Sequence, residues 1–148
     1  MSDDHRFALT ATWDSAAREG KLSNAGGTLA CSYVGAPTLG GKGGAANPEE
    51  LLMGAVSACF VQTWAIFIGK LQLPIGNPVL DASCVVDKDP AGGFRMTEME
   101  LAPNIPAALW ESRQPDVEKT LALAEKYCIV SKAVRGGTMA FRVTPKPV

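Results

Sequence analysis

Asn47-Pro48-Glu49-Glu50-Leu51-Leu52-Met53-Gly54-Ala55-Val56-Ser57-Ala58-Cys59-Phe60 decides the fold. Asn47 suits a helix N-cap, Pro48 suits the first helical position, and Glu50 completes a capping-box pattern with Asn47. Glu49 and Glu50 complement the positive end of the helix dipole. The run stays apolar until Pro74 and Gly76, so the spacing predicts a helix from Pro48 to about Leu71 or Leu73. Its apolar positions occupy nearly every face, which predicts a central helix covered all round. Met53 to Gly69 holds Phe60, Trp64 and Phe67 and falls at the short end of a membrane span, which takes about 20 residues. Ser57, Gln62 and Thr63 interrupt it, Glu50 and Lys70 flank it, and strand-like sequence surrounds it. It reads as a buried core helix.

Upstream of this helix, Phe7 to Trp13 alternates apolar and polar residues and reads as a strand. Ala16 to Lys21 reads as a polar turn and Thr28 to Val34 as a second strand, giving a hairpin or meander. Gly35 to Ala46 is a glycine-rich loop. Downstream, Val79 to Val86 and Phe94 to Leu101 read as strands paired across an Asp87 to Gly93 turn. Pro115 to Tyr127 reads as a second helix with Val117, Leu121, Ala124 and Tyr127 or Cys128 on one stripe. Residues 138–144 read as a closing strand. Strands in groups with two main helices predict an α+β fold, with antiparallel sheets wrapped on the long central helix. No repeat or linker divides residues 1–148, so one domain is expected.

The 148 residues are enough for a core, and 47% of them are apolar. The formal net charge is −1 with no basic run, which leaves nucleic-acid and acidic-membrane binding without electrostatic support. The N-terminus is polar and acidic and lacks the basic and apolar regions of a signal peptide, so a cytoplasmic address is expected. Cys31, Cys59, Cys84 and Cys128 form no CxxC, and His5 is the only histidine. A metal site is therefore not expected. In a reducing cytosol, a disulfide would be transient and catalytic rather than structural.

Cys59 and Cys128 are the candidate reactive thiols. If the fold brings them together, the pair can cycle between thiols and a disulfide. The alternative for each is a small buried hydrophobe. A reactive thiol needs a lowered pKa from a cation, a metal or a helix N-terminus. Cys59 lies about 18 Å along its helix from Asn47 at ~1.5 Å per residue, beyond reach of that terminus. The sequence therefore calls for a cation from elsewhere. Arg18 and Lys42 are the candidates, with a solvated loop charge as the alternative for each. Gly40-Gly41-Lys42-Gly43-Gly44 does not match the Walker spacing and reads as flexible or closely packed backbone. Cys31 and Cys84 lie on predicted strands without a neighbouring cation and read as structural.

At this point the residues resemble a known family. Asn47-Pro48-Glu49-Glu50-Leu51-Leu52 followed by Ser57-Ala58-Cys59-Phe60 resembles the signature of the OsmC/Ohr family of organic hydroperoxide reductases. Cys128-Ile129-Val130-Ser131-Lys132-Ala133 resembles its second-cysteine motif, which normally has proline where Ile129 stands. Ala17-Arg18-Glu19-Gly20-Lys21 is similar to the family turn bearing the active-site arginine. Leu39-Gly40-Gly41 to Asn47 is similar to the family's pre-helix loop. That loop looks Ohr-like, whereas Ser131-Lys132-Ala133 looks more OsmC-like.

The resemblance implies a thiol peroxidase of the oxidative stress response that uses no metal or flavin. Cys59 would be the peroxidatic thiolate and Cys128 the resolving thiol. Arg18 would hold Cys59 deprotonated, and Glu49 would hold Arg18. The reductant would be a dithiol of the dihydrolipoamide type. The resemblance also implies an intertwined homodimer. Glu49 precedes Cys59 by about 15 Å along one helix, and a two-fold dimer with antiparallel central helices would bring the partner subunit's Glu49 to the site. Met53, Phe60, Trp64 and Trp110 are candidates to line a pocket for a bulky organic hydroperoxide, with ordinary core as the alternative. Two rival functions remain: a non-catalytic carrier of a small apolar ligand, and a thiol redox sensor.

Overall fold

The structure is a computed structural model that describes residues 4–137 and 139–148. The chain forms two compact units, one ending at Leu51 and the other running from Leu52 to Val148. The long helix α1, Pro48–Lys70, begins in the first and continues through the second.

The first unit is a three-stranded antiparallel meander of β1 (Thr10–Asp14), β2 (Glu19–Ser23) and β3 (Ala30–Tyr33). The residues read as a turn thus include a strand, because β2 begins at Glu19. The alternation around Phe7 and Trp13 predicts a half-buried strand. Instead, all five residues of β1 are exposed. Gly20 lies under the ring of Tyr33, where any side chain would collide with that ring. The Tyr33 hydroxyl reaches across β2 and donates to the Thr12 carbonyl at 2.9 Å. The glycine loop packs backbone against backbone: Gly41 presses on Gly35, leaving no room for a Cβ.

In the second unit, β4 (Leu80–Lys88) and β5 (Phe94–Ile105) pair antiparallel, with a bulge at Val85/Val86. β6 (Ala140–Val143) and β7 (Lys146–Pro147) pair with β5 in parallel, so this sheet is mixed rather than purely antiparallel. The predicted closing strand began at position 138, which lies outside the described residues; β6 begins at Ala140. One core collects Val56, Phe60, Trp64 and Ile68 of α1 with Met99, Leu101 and Ile105 of β5. α2 (Ala107–Tyr127) adds Leu109, Val117, Leu121 and Ala124.

Asn47 and Glu50 form the expected capping box. The Glu50 N–H donates to Asn47 Oδ1 at 2.8 Å, and the Asn47 N–H to Glu50 Oε2 at 3.1 Å. The buried face of α1 is narrower than its composition predicts. Only the i, i+4 stripe from Val56 to Ile68 is buried, while Leu52 and Ile66 are exposed. α1 is long and apolar enough to cross a membrane, yet this stripe makes it a core helix, as expected of a soluble protein.

α2 starts eight residues before the predicted Pro115. It kinks at Arg113 (φ −139°, ψ 35°), with Pro115 opening the regular part. The kink has a use, since the Arg113 guanidinium caps the end of α1 by donating to the carbonyls of Leu71 and Gln72, both at 3.3 Å. A short helix absent from the sequence reading, α3 (Ile129–Arg135), follows directly.

Candidate thiol site

The fold brings Cys59 and Cys128 together. Cys59 sits half-buried in the middle of α1, and Cys128 is completely buried at the joint between α2 and α3. Both are thiols in this structure, close enough to share a hydrogen bond.

The joint is built by Cys128 itself. Its N–H closes α2 on the Ala124 carbonyl at 2.8 Å, and its carbonyl receives the Lys132 N–H at 3.2 Å to open α3. Its sulfur accepts the Ser131 N–H at 3.4 Å, so a cysteine fills the role usually taken by Ser, Thr, Asn or Asp. The Ser131 hydroxyl, fully buried, donates to the Cys128 carbonyl at 3.2 Å.

This joint also weighs on the Cys59 thiol. Burial is the largest single influence on its thiol and acts upward. The main-chain N–H groups of Val130 and Ile129, together with the Cys128 thiol, outweigh it, and the net pKa falls below the ordinary value. The Thr63 hydroxyl adds least; its single proton already goes to the Cys59 carbonyl at 2.8 Å. The sequence reading excluded only the N-terminus of α1 as the source of this shift; main-chain groups at the start of α3 contribute to it. Cys128 moves the other way. Burial raises it most, Cys59 raises it further, and the two hydrogen bonds from Ser131 do not reverse the sign. As pH rises, Cys59 therefore ionises first.

Arg18 and Glu49 belong to the first unit. Arg18 stands in the left-handed region at φ 56°, rare for a residue with a Cβ, and its guanidinium donates to the Gly40 carbonyl at 2.9 Å. Lys42 makes the reciprocal tie, donating to the Ala17 carbonyl at 3.0 Å and pairing with Glu19 at 2.9 Å. The β1–β2 turn and the glycine loop are thus pinned together. Glu49 Oε2 is buried without a hydrogen-bond partner.

The predicted pocket residues need correction. Phe60 and Trp64 have no exposed surface. Trp64 is anchored in the core by its indole N–H, which donates to the buried Thr120 hydroxyl at 3.0 Å. Met53 and Trp110 are partly buried against the same core. The i, i+4 spacing that puts Phe60 and Trp64 on one face turns that face inward. An open groove of about 560 Å³ lies elsewhere, lined by Thr63, Ile66, Phe67, Lys70, Leu123 and Tyr127. Its lining includes Thr63, whose hydroxyl donates to the Cys59 carbonyl, and Tyr127, the residue before Cys128. Phe67 stacks on Tyr127 at 5.7 Å, and Lys70 lies over Phe67.

Residues 41–141 match the family pattern described as OsmC-like protein. The chain belongs to the OsmC-like family. Among its relatives, it is 30% identical over 121 residues to organic hydroperoxide resistance protein-like 2 of Staphylococcus epidermidis, covering 80% of this chain and 82% of that one. A solved structure of an organic hydroperoxide resistance protein from Elizabethkingia anophelis, with thiocyanate bound, is 28% identical. It covers 97% of this chain and 99% of its own, with a TM-score of 0.75. An OsmC-like protein of Mycoplasma pneumoniae superposes with a TM-score of 0.79 at 15% identity, covering 98% and 99% of the two chains, which shows the shared fold. Within this OsmC-like chain, the α+β architecture agrees with the sequence reading.

Proposed function

We propose that this protein is a thiol peroxidase that reduces organic hydroperoxides to alcohols. The observation that carries the reading is the opposite displacement of two facing thiols, one half-exposed and lowered, the other buried and raised. The Cys59 thiolate attacks the distal peroxide oxygen. An S–O bond forms, the O–O bond breaks, and the alkoxide takes a proton to leave as alcohol. Cys59 is now a sulfenic acid. Cys128 attacks its sulfur, an S–S bond forms, and hydroxide leaves with the Cys128 proton as water. A dithiol of the dihydrolipoamide type then restores both thiols by exchange and becomes a disulfide itself.

In this reading Arg18 supplies the cation beside Cys59, and Glu49 holds Arg18. Two facts support the assignment: Arg18 is held in a costly backbone conformation, of a kind that collects at functional sites, and one oxygen of the Glu49 carboxylate, Oε2, is buried without a partner. The two compact units act as one OsmC-like domain in the cytoplasm, without metal or cofactor. The chain pairs as a homodimer through the apolar face that α1 leaves uncovered around Leu52 and Ile66, and the partner subunit's Glu49 completes each site. The groove beside Thr63 receives the organic part of the peroxide.

Consumption of cumene hydroperoxide with reduced dihydrolipoamide tests the reading. Wild-type protein turns over repeatedly; a preparation with intact thiols and no turnover sinks the enzyme assignment. A monomeric preparation with full activity sinks the shared site.

A further inference from the structure

A disulfide between Cys59 and Cys128 offers a reducing thiolate two sulfurs, and two rules of exchange disagree about which it takes. The thiol of lower pKa leaves faster. Cys59 is the lowered one and Cys128 the raised one, so this rule favours attack on Cys128. Access favours the opposite. Cys59 is half-buried, whereas Cys128 has no exposed surface. The joint around Cys128 is itself at the surface, since Tyr127 is 50% exposed and Ile129 78%. Cys128, between them, is turned into the core. Its main chain is fixed on both sides. Its N–H donates to the Ala124 carbonyl at 2.8 Å, and its carbonyl accepts the Lys132 N–H and the Ser131 hydroxyl, both at 3.2 Å. The sulfur reaches solvent only if this joint opens. Thr63, by contrast, lines the open groove, and four residues after Cys59 on α1 it lies on the same helix face. The leaving-group preference is graded, whereas a sulfur without exposed surface is out of reach, so access decides.

We propose that the reductant attacks Cys59, the same sulfur that meets the peroxide, and that Cys128 exchanges with Cys59 alone. A thiolate of the dithiol forms an S–S bond to Cys59, the Cys59–Cys128 bond breaks, and Cys128 leaves as a thiolate and takes up a proton. The second thiol of the reductant, once deprotonated, attacks the reductant's own sulfur in the mixed disulfide. A ring disulfide closes and Cys59 is expelled as a thiolate. The dithiol gives up two electrons and the cysteine pair receives them. In this second step the lowered thiol is the leaving group, so both rules agree. A monothiol stops after the first step, because Cys128, beside the mixed disulfide, attacks Cys59 and expels the monothiol again. The arrangement therefore selects dithiols. The place of this exchange in turnover rests on the peroxidase reading; the choice of sulfur does not.

The test starts from wild-type protein whose disulfide is closed with diamide, so no peroxidase activity is needed. Excess mercaptoethanol is added and exchange is stopped with acid at successive times. Free thiols are then blocked with N-ethylmaleimide and the peptides mapped by mass spectrometry. The mixed disulfide forms on the Cys59 peptide, with maleimide on Cys128. Mercaptoethanol on Cys128 with maleimide on Cys59, the outcome of the leaving-group rule alone, overturns the proposal. A second measurement needs no trapped species. With dipyridyl disulfide, Cys59 in the Cys128→Ser protein is labelled in the native state, whereas Cys128 in the Cys59→Ser protein is labelled only on unfolding in urea. Native labelling of Cys128 at the rate of Cys59 overturns the proposal. Protein that closes and opens this disulfide yet never consumes peroxide sinks the peroxidase reading alone, so the two failures are distinguishable.

Discussion

Cys59 sits half-exposed in the middle of a 23-residue helix; its neighbour Cys128 sits fully buried at the joint where another helix begins. Burial pushes both thiols upward, and it is the largest influence on each. What separates them is the set of neighbouring groups that favour each thiolate. Val130, Ile129 and Cys128 all act on Cys59, whereas Cys128 has Ser131 alone and a neighbour that becomes an anion. A single feature, the start of α3, therefore sets both sides of the contrast. It caps itself with the Cys128 sulfur, and its first main-chain groups lower the Cys59 thiol. In the proposed reaction this asymmetry sets the order, because the thiol that ionises first is also the more exposed one.

The largest expected effect breaks the pair. Cys59→Ser abolishes turnover and the first oxidation event alike. Cys128→Ser abolishes turnover only, leaving one peroxide consumed per chain in a single-turnover assay. Loss of the first event in both variants would contradict the assigned roles.

Next comes the distinction between core and groove. Trp64→Ala removes a fully buried indole and its hydrogen bond to Thr120, costing about 3–5 kcal/mol in denaturant unfolding. Phe67→Ala, in the open groove, costs much less stability and instead raises KM for cumene hydroperoxide several-fold. The reverse pattern would return Trp64 to a substrate wall.

How far this was legible in the sequence depends on how local each signal is. The start of α1 was readable because Asn47, Pro48 and Glu50 act within four residues. α3 was not, because its cap is a cysteine sulfur, which carries no sequence signature of a helix start. The first turns of α2 were hidden by Pro115, read as a first helical position when it follows a kink. β2 was missed because Glu19-Gly20-Lys21 has turn composition, and its strand state depends on pairing with β1 and β3. The parallel pairing of β6 is likewise long-range. Phe60 and Trp64 were open to two readings because a pocket wall and a core share composition; only burial separates them. The two cysteines singled out from their motifs do lie side by side, but the helix that begins at Cys128 was not legible in the sequence.

Two further measurements sharpen the contrast between the thiols. Under the shared-site reading, Arg18→Ala raises the pH midpoint for Cys59 alkylation by roughly 1–3 units, the effect of removing an adjacent opposite charge. An unchanged midpoint would remove Arg18 from the site. In the wild type, Cys59 is alkylated with a midpoint below that of an ordinary thiol and Cys128 with one above it, following the directions of their shifts. The rate of the first oxidation step therefore rises with pH and levels off before an ordinary thiol would. A common midpoint for the two cysteines would erase the asymmetry.

The most direct test of the central claim is trapping of the first oxidised species. Cys128→Ser protein receives one equivalent of cumene hydroperoxide in the presence of dimedone, and its peptides are mapped by mass spectrometry. The account predicts one adduct per chain, on the peptide that carries Cys59. Adducts on Cys31 or Cys84, or none on Cys59 while peroxide is consumed, would contradict it.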